Sequence, residues 1–460
     1  MLARRRSLRL AALVALAPLA ASPASGQTPA APLEAGPRLL LISIDGLAPA
    51  SYLDPEAAGL AIPNLRALAA EGVFASGVTG VLPTVTYPSH TTLTTGVPPR
   101  VHGILGNRIF DPTGRSNEAW HWYASEVRVP TLFSAAYASG LITAAIAWPV
   151  TVGLEVDAVV PEYWRTGSDA PADGKLLEAL SSAALFSEVA ERRGEPIGYP
   201  LTDRDRGDLA LHVLATRKPR LLAVHFVEHD FAQHDFGAGS AAAKAALERV
   251  DGEVGRLRAA LAELGLAERT LVVVVSDHGF LPTARDLHPN ALLRRAGLLE
   301  VDATGRITTW RAAFDPQCGT AFLRLADAAD ARTLSAARKL VEDEAARPGS
   351  GLRAVLGAPE IEALGGDPAV TPLALDAREG FSFELGTATW ATPAKKRSNH
   401  GHAPVRPELE AAMIAAGPGL ARSGNLGTVP MTRIAPTLAR YLGVTLSELA
   451  AAPMDWLVAP

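Results

Sequence analysis

The chain has 460 residues, 48% hydrophobic and 20% charged, which describes a globular protein with ample core, long enough for one large or two ordinary domains. A net charge of −5 lacks the basic surplus that a nucleic-acid polymer requires, so a small anionic substrate has to be drawn in by bound cations. The one cysteine, Cys318, excludes an intrachain disulfide and is expected to be a small buried side chain.

From the N-terminus, Arg4-Arg5-Arg6, an apolar stretch to about Ala21 and small residues after it read as a secretory signal over residues 1–26. The apolar stretch is too short for a stable membrane span, so the expected location is periplasmic or secreted. Residues 27–37 are Ala/Pro-rich and read as a linker. Next comes the apolar run Leu39–Ile44, ending in Asp45-Gly46. Ile62 to Gly72 has Pro near its start and Gly at its end, the signature of a helix, and Val129 to Gly140 repeats it before a strand at Leu141 to Trp148. Helices are expected over Asp203–Thr216 and Ala241–Leu264. Each precedes an apolar run: Leu221–Val227, leading into Glu228-His229-Asp230 with His234 four on, and Leu271–Ser276, leading into Asp277-His278-Gly279.

This alternation predicts an α/β doubly wound sheet sandwiched by helices. The catalytic core is expected over 38–285 and 394–460. The looser pattern of 286–393 reads as a smaller inserted subdomain, with a helix near Asp330 to Ala346. A last helix is expected near Thr432 to Leu442.

In a parallel sheet the ligand crevice lies outside the carboxyl ends of the strands. Singly, Asp-Gly and Asp-His-Gly are ordinary turn sequences. Together, at the ends of three apolar runs, they deliver Asp45, Asp230, His234, Asp277 and His278 to one rim. His400, in Ser398-Asn-His-Gly-His402, completes three carboxylates and three imidazoles, with His402 as its rival. That donor set suits zinc first, then manganese or iron, and six ligands are about right for two divalent ions serving phosphoryl transfer. His225, inside an apolar run, reads as a core side chain. His229 reads as a support beside Asp230, and His90 and His102 as structural.

From Thr84 to Thr95 there are seven Ser and Thr residues, which by themselves are explained by capping and turn chemistry. The segment Thr86-Tyr-Pro-Ser-His90, then Thr94-Thr-Gly96, then His102-Gly-Ile104 with Asn107, resembles the nucleotide pyrophosphatase/phosphodiesterases of the alkaline phosphatase superfamily. It departs at Ser89, where that family usually has Asn. The resemblance runs from Asp45 to His400 and implies an alkaline phosphatase-like fold with Thr86 as nucleophile. It also implies one ion on Asp45, Asp277, His278 and the Thr86 oxygen, a second on Asp230, His234 and His400, and Asn107 as a donor to the phosphoryl group.

What the resemblance implies is hydrolysis of a small-molecule phosphodiester or pyrophosphate, a nucleotide or a relative of one, through a phosphothreonine. Tyr87, with Tyr163 or Trp164 opposite, is expected to hold a nucleobase, although Val-Thr follows Trp148-Pro149 where the family tends to have Gly-Ser. The runner-up is a phosphomonoesterase of the same superfamily. It would need extra cations, for which Arg165 and Lys395-Lys-Arg397 are the candidates.

Overall fold

The computed structural model describes residues 36–115, 119–163 and 170–458. The expected signal segment, nearly all of the linker, Trp164 and Arg165 lie outside the described residues. Among the described residues no helix is long and apolar enough to cross a membrane.

The main sheet has eight strands in the order Gly424–Asn425, Val73–Phe74, Met413–Ala416, Thr270–Val275, Arg38–Ile44, Leu221–Phe226, Thr143–Trp148, Ala158–Pro161. The last five in that order are mutually parallel, and Met413–Ala416 joins them antiparallel. Alternation along each central strand divides its residues between two cores. Leu40, Ile42, Leu222, Val224, Val272 and Val274 pack on one face with Leu65, Leu209, Leu247 and Leu257 of the helices covering it. Leu39, Leu41, Ala223, Val273 and Val275 pack on the other with Leu93, Phe133 and Leu438. Both faces are therefore dry, which is why these strands read as continuous apolar runs. Each fully buried Leu, Ile or Val contributes roughly 1.5–3 kcal/mol.

The expected helices are present, as Pro63–Glu71, Leu132–Ala138, Asp203–Arg217, Ala241–Glu263, Ala331–Ala345 and Ile434–Leu442. Two helices that the sequence did not signal, Ala170–Leu180 and Leu185–Arg193, lie beyond the last parallel strand. Thr86–Thr95 is also helical and entirely buried. Its hydroxyls bond back along the helix, Thr91 to the Tyr87 carbonyl at 2.8 Å and Thr95 to that of Thr91 at 2.7 Å. That satisfies the polar groups a helix would otherwise bury at a cost. Pro88 is tolerated because it sits in the first turn.

Beyond His278 the strand Leu281–Leu287 leaves the main sheet. It pairs with Gly380–Phe383 in parallel, and with Ala391–Pro393 and Ser398–Asn399 antiparallel. A separate antiparallel sheet, Ala312–Gln317, Thr320–Leu325, Ala374–Ala377, Leu352–Leu356, has its own core around Phe314, Leu323, Val341 and Leu375.

Helix Pro63–Glu71 has no capping side chain of its own. Asp251, from the middle of Ala241–Glu263, supplies it, accepting from the backbone N–H of Asn64 at 3.1 Å and of Leu65 at 2.8 Å and from the Asn64 amide at 2.9 Å. Asp251→Ala leaves those donors without an acceptor and is expected to cost about 1–3 kcal/mol. A urea titration reads this as a lower midpoint, with kcat unchanged because Asp251 is remote from the rim described next; an unchanged midpoint would show that the cap does not hold the helix.

Candidate metal centre and nucleophile

The register of the central strands decides the site. Ser43 is opposite both His225 and Val275, so Asp45, two residues on, stands level with Asp277. The Asp45 N–H donates to the Phe226 carbonyl at 2.9 Å, and the Gly46 N–H to Asp277 Oδ1 at 3.1 Å. Gly46 has φ +70°, and a Cβ there would lie 2.6 Å from the Phe280 ring, so this turn requires glycine.

Asp230 and His234 lie on the helix Glu228–Phe236, one turn apart, with His234 Nε2 3.5 Å from Asp230 Oδ2. This helix begins where the strand Leu221–Phe226 ends, and Asp203 caps it, accepting from the N–H groups of Val227 at 2.8 Å and Glu228 at 3.0 Å. His229 ties it to the long helix through the Ala243 carbonyl at 3.0 Å, a support as expected. His400 returns to the rim because Asn399 pairs with Leu281, two residues past Gly279. Its ring stacks on that of His278, with centroids 3.6 Å apart and planes inclined by 13°.

Two groups of donor atoms result, each within 4.8 Å: Asp45, Asp277 and His278, and Asp230, His278 and His400. His278 thus faces both, and His234 adjoins the second through Asp230. His402 is elsewhere: its Nδ1 faces the Ala377 carbonyl at 3.2 Å and Asp376 Oδ1 at 3.7 Å. Of the two histidines, the geometry brings His400 to the cluster.

The cluster has the character of a cation site. Asp45 Oδ1, Asp230 Oδ1, Asp277 Oδ2 and both His278 ring nitrogens are buried without a hydrogen-bond partner. Burial, then the charges of Asp277 and Asp230, push the Asp45 carboxyl well above the usual range. Burial also acts to raise Asp277, but the His278 ring beside it, together with His90 and His225, outweighs that and holds it well below. Burial, with His278 and His234 alongside, holds the His400 ring well below an ordinary imidazole, hence neutral. A carbonyl only accepts, so His234 Nδ1 donates to Ser398 O at 2.9 Å and His400 Nδ1 to Thr84 O at 3.1 Å. In the neutral ring this leaves the lone pair on Nε2, which in both residues points at Asp230, the tautomer a metal needs. Buried carboxylates this crowded are costly unless a cation compensates them, and mixed O/N donors suit zinc. The residues fit divalent ions.

Thr86 is the first residue of its helix, 9% exposed, and lines a cavity of about 820 Å³ together with Asp45, Asp230, His234, His400 and Asn107. The Asn107 Oδ1 accepts from the Tyr87 N–H at 2.8 Å, so its NH2 is the end left for a ligand. No side chain of Val85 caps the helix. The Tyr87 N–H is held by Asn107, Pro88 has none and the Ser89 N–H bonds the Val85 carbonyl at 3.2 Å, which leaves the Thr86 N–H at a helix end that favours an anion. His90 braces the same turn: Nδ1 bonds the Thr86 carbonyl and Nε2 the Ser43 hydroxyl, both at 2.8 Å. Burial lowers its pKa to about 3, as it does that of His102, so both are neutral supports.

Three expectations are corrected. Tyr87 is 0% exposed, its ring covered by Trp120 at 5.2 Å, and does not face the cavity. Trp120 lines the cavity in its place. Tyr163 packs on Trp122 at 5.0 Å and is not among the described lining residues. Cys318 is half-buried on the cavity wall rather than in a core, with φ +57° in the tight turn between Ala312–Gln317 and Thr320–Leu325; burial raises its thiol to about 12.

Sequence reading missed that turn's role. The Gly319 N–H donates to the His400 carbonyl at 2.7 Å, the Thr320 hydroxyl to that of Gly401 at 2.8 Å, and Gln317 Oε1 accepts from the Asn107 N–H at 3.4 Å. It also missed Glu162, and it placed His225 in the core as a satisfied side chain without naming its partners. His225 in fact bridges Glu162 and Asp45.

The family described as type I phosphodiesterase / nucleotide pyrophosphatase matches residues 39–402. Among curated proteins, human ectonucleotide pyrophosphatase/phosphodiesterase family member 1 is 28% identical over 252 residues, 53% of this chain and 23% of that protein. The Bos taurus bis(5'-adenosyl)-triphosphatase ENPP4 is 25% identical over 258 residues, 54% of this chain and 49% of that one. The match thus spans about a quarter to a half of the length of these relatives. Among solved structures, human ectonucleotide pyrophosphatase/phosphodiesterase 5 superposes with a TM-score of 0.64 at 18% identity, covering 92% of this chain and 97% of that one. An inactive form of the murine protein in complex with AMP gives 0.62 at 19%, covering 91% and 97%. The expected alkaline phosphatase-like α/β fold is therefore the fold found. With its motifs matched across most of its length, the chain belongs to the type I phosphodiesterase / nucleotide pyrophosphatase family.

Proposed function

We propose that this protein hydrolyses small-molecule phosphodiesters or pyrophosphates through a phosphothreonine on Thr86, using two divalent ions, zinc first among them. The observation that carries this is the convergence of two groups of donor-less buried oxygens and metal-ready imidazoles on the cavity that Thr86 lines. Asp45, Asp277 and His278 would hold one ion and Asp230, His234 and His400 the other. Bound there, the ions would make the threonine hydroxyl more acidic and offset negative charge at phosphorus.

The protein's own groups account for the rest. The Thr86 oxygen attacks phosphorus and the bond to the leaving alcohol or phosphate breaks. The Asn107 NH2 and the Thr86 N–H at the helix end donate to the non-bridging oxygen, where charge accumulates. Water then cleaves the phosphothreonine.

Nucleotides are the favoured substrates because relatives are named for pyrophosphatase and bis(5'-adenosyl)-triphosphatase activity and a related structure holds AMP. Trp120, Phe110 and Phe231 line the cavity, where sequence reasoning had expected Tyr87 and Tyr163. A base stacked on such a ring gains ~1–3 kcal/mol. Segment 286–393 we read as an insertion that roofs the site, since Arg306, Phe314, Gln317 and Phe383 line the same cavity. Export to the periplasm or beyond follows from the basic-then-apolar N-terminus, in keeping with the "ecto" names of the relatives.

Thr86→Ala is expected to lower turnover of bis-p-nitrophenyl phosphate by at least about 10³-fold while metal analysis still finds both ions. Normal metal content with full activity would remove Thr86 from its role. The kcat/KM for that diester should exceed that for p-nitrophenyl phosphate; the reverse order favours a monoesterase, with Lys396 as the cavity-lining cation of the Lys395–Arg397 run. His400→Ala should lose one of the two ions, whereas His402→Ala should keep both and only lower the thermal midpoint. Loss of an ion in the second variant alone would transfer the ligand role to His402.

A further inference from the structure

Glu162 and His225 have no part in the chemistry above, although both are buried, at 3% and 0% exposure, against one of its central carboxylates. His225 Nδ1 is 2.8 Å from Glu162 Oε2, and its Nε2 is 3.1 Å from Asp45 Oδ2. Behind them lies Arg206, 2% exposed, whose Nη1 donates to the His225 carbonyl at 2.9 Å and stands 3.6 Å from Glu162 Oε2. Packing does not call for this chain of charges. On the same face of the strand, Leu221 and Ala223 belong to the apolar core, so an apolar side chain at 225 would fill the space. A buried array of Arg, Glu and His is expensive to desolvate and contributes little to stability by itself.

What the array does do is hold one oxygen of Asp45. With Oδ2 against His225, the carboxylate presents Oδ1, the atom that has no donor and lies 3.5 Å from His278 Nε2. We propose that Glu162 and His225 are positioning residues that fix the Asp45 carboxylate for ion capture, so that affinity for the ion on the Asp45–Asp277–His278 side depends on a chain reaching back to Glu162 and Arg206. The inference rests on the two-ion reading above. It predicts an asymmetry, because the Asp230–His234–His400 side is braced differently, by the Ser398 and Thr84 carbonyls.

The test is zinc competition against a chromogenic chelator, on the full chain and on two variants. Glu162→Gln keeps the shape of the side chain and removes its charge; His225→Leu fills the space and removes both contacts. Each should weaken one of the two zinc ions by about 10–100-fold and leave the other at wild-type affinity, the effect being larger for His225→Leu. Glu162→Gln also takes the charge from beside Arg206, so the thermal midpoint of the metal-free protein should fall, and the loss confined to one ion is the readout that decides. Wild-type affinity for both ions in the variants overturns the proposal. So does a parallel weakening of both ions with a less stable metal-free protein, which is what a purely structural network gives. If His225→Leu does not fold, Glu162→Gln carries the test alone. A wild-type chain that fails to bind two zinc ions would instead overturn the two-ion reading itself.

Discussion

Ser43 is opposite His225 on one neighbouring strand and Val275 on the other, and the rest of the site depends on that register. It sets the ends of three parallel strands at one height, so that the first residues beyond the dry core are Asp45, the turn into Glu228–Phe236, and Asp277-His278. A slip of one residue would turn every side chain of the central strand to the opposite face. It would drive Asp45 away from Asp277. The two apolar cores that lock this register are therefore also what fixes the distances between carboxylates.

Holding three carboxylates together in a buried rim is unfavourable, and the surrounding structure shows how the fold withstands it. Each acidic group is approached from behind. His225 and Glu162 stand behind Asp45, the Gly46 N–H meets Asp277, and Asp203 caps the helix that carries Asp230. His234 and His400 are oriented by backbone carbonyls that leave the other ring nitrogen inward. What stays uncompensated are the inward-facing oxygens, where divalent ions would add the missing positive charge.

The second sheet is coupled to this rim through one tight turn. Gln317, Gly319 and Thr320 touch the Asn107 loop and the His400-Gly401 backbone together. Gly401 accepts no side chain, since a Cβ there would lie 2.2 Å from the Gln317 carbonyl. A part of the chain that lines the cavity thus also sets two groups of the candidate site, the Asn107 loop beside Thr86 and the backbone of His400 in the proposed second ion site.

The sequence by itself determined the central strands, most helices and which carboxylates and imidazoles gather at the rim, because these follow from local rules. An apolar run buried on both faces has no polar interruption, and a parallel sheet presents its functional groups after the strand ends. The spacing of Asp230 and His234 on a helical turn, and of Asp45, Asp277 and His278 at the ends of such runs, was legible for that reason. Exposure and partnership were not. Tyr87 follows Thr86 directly, yet Trp120, folded over it from a separate loop, decided that it is core. His225 is buried as its apolar run implies, but its partner Glu162 comes from just beyond the strand Ala158–Pro161, and His400 was separated from His402 only by the pairing of Asn399 with Leu281. Which side chain covers, grips or faces another is set by contacts between distant segments, and only the packed tertiary structure fixes those.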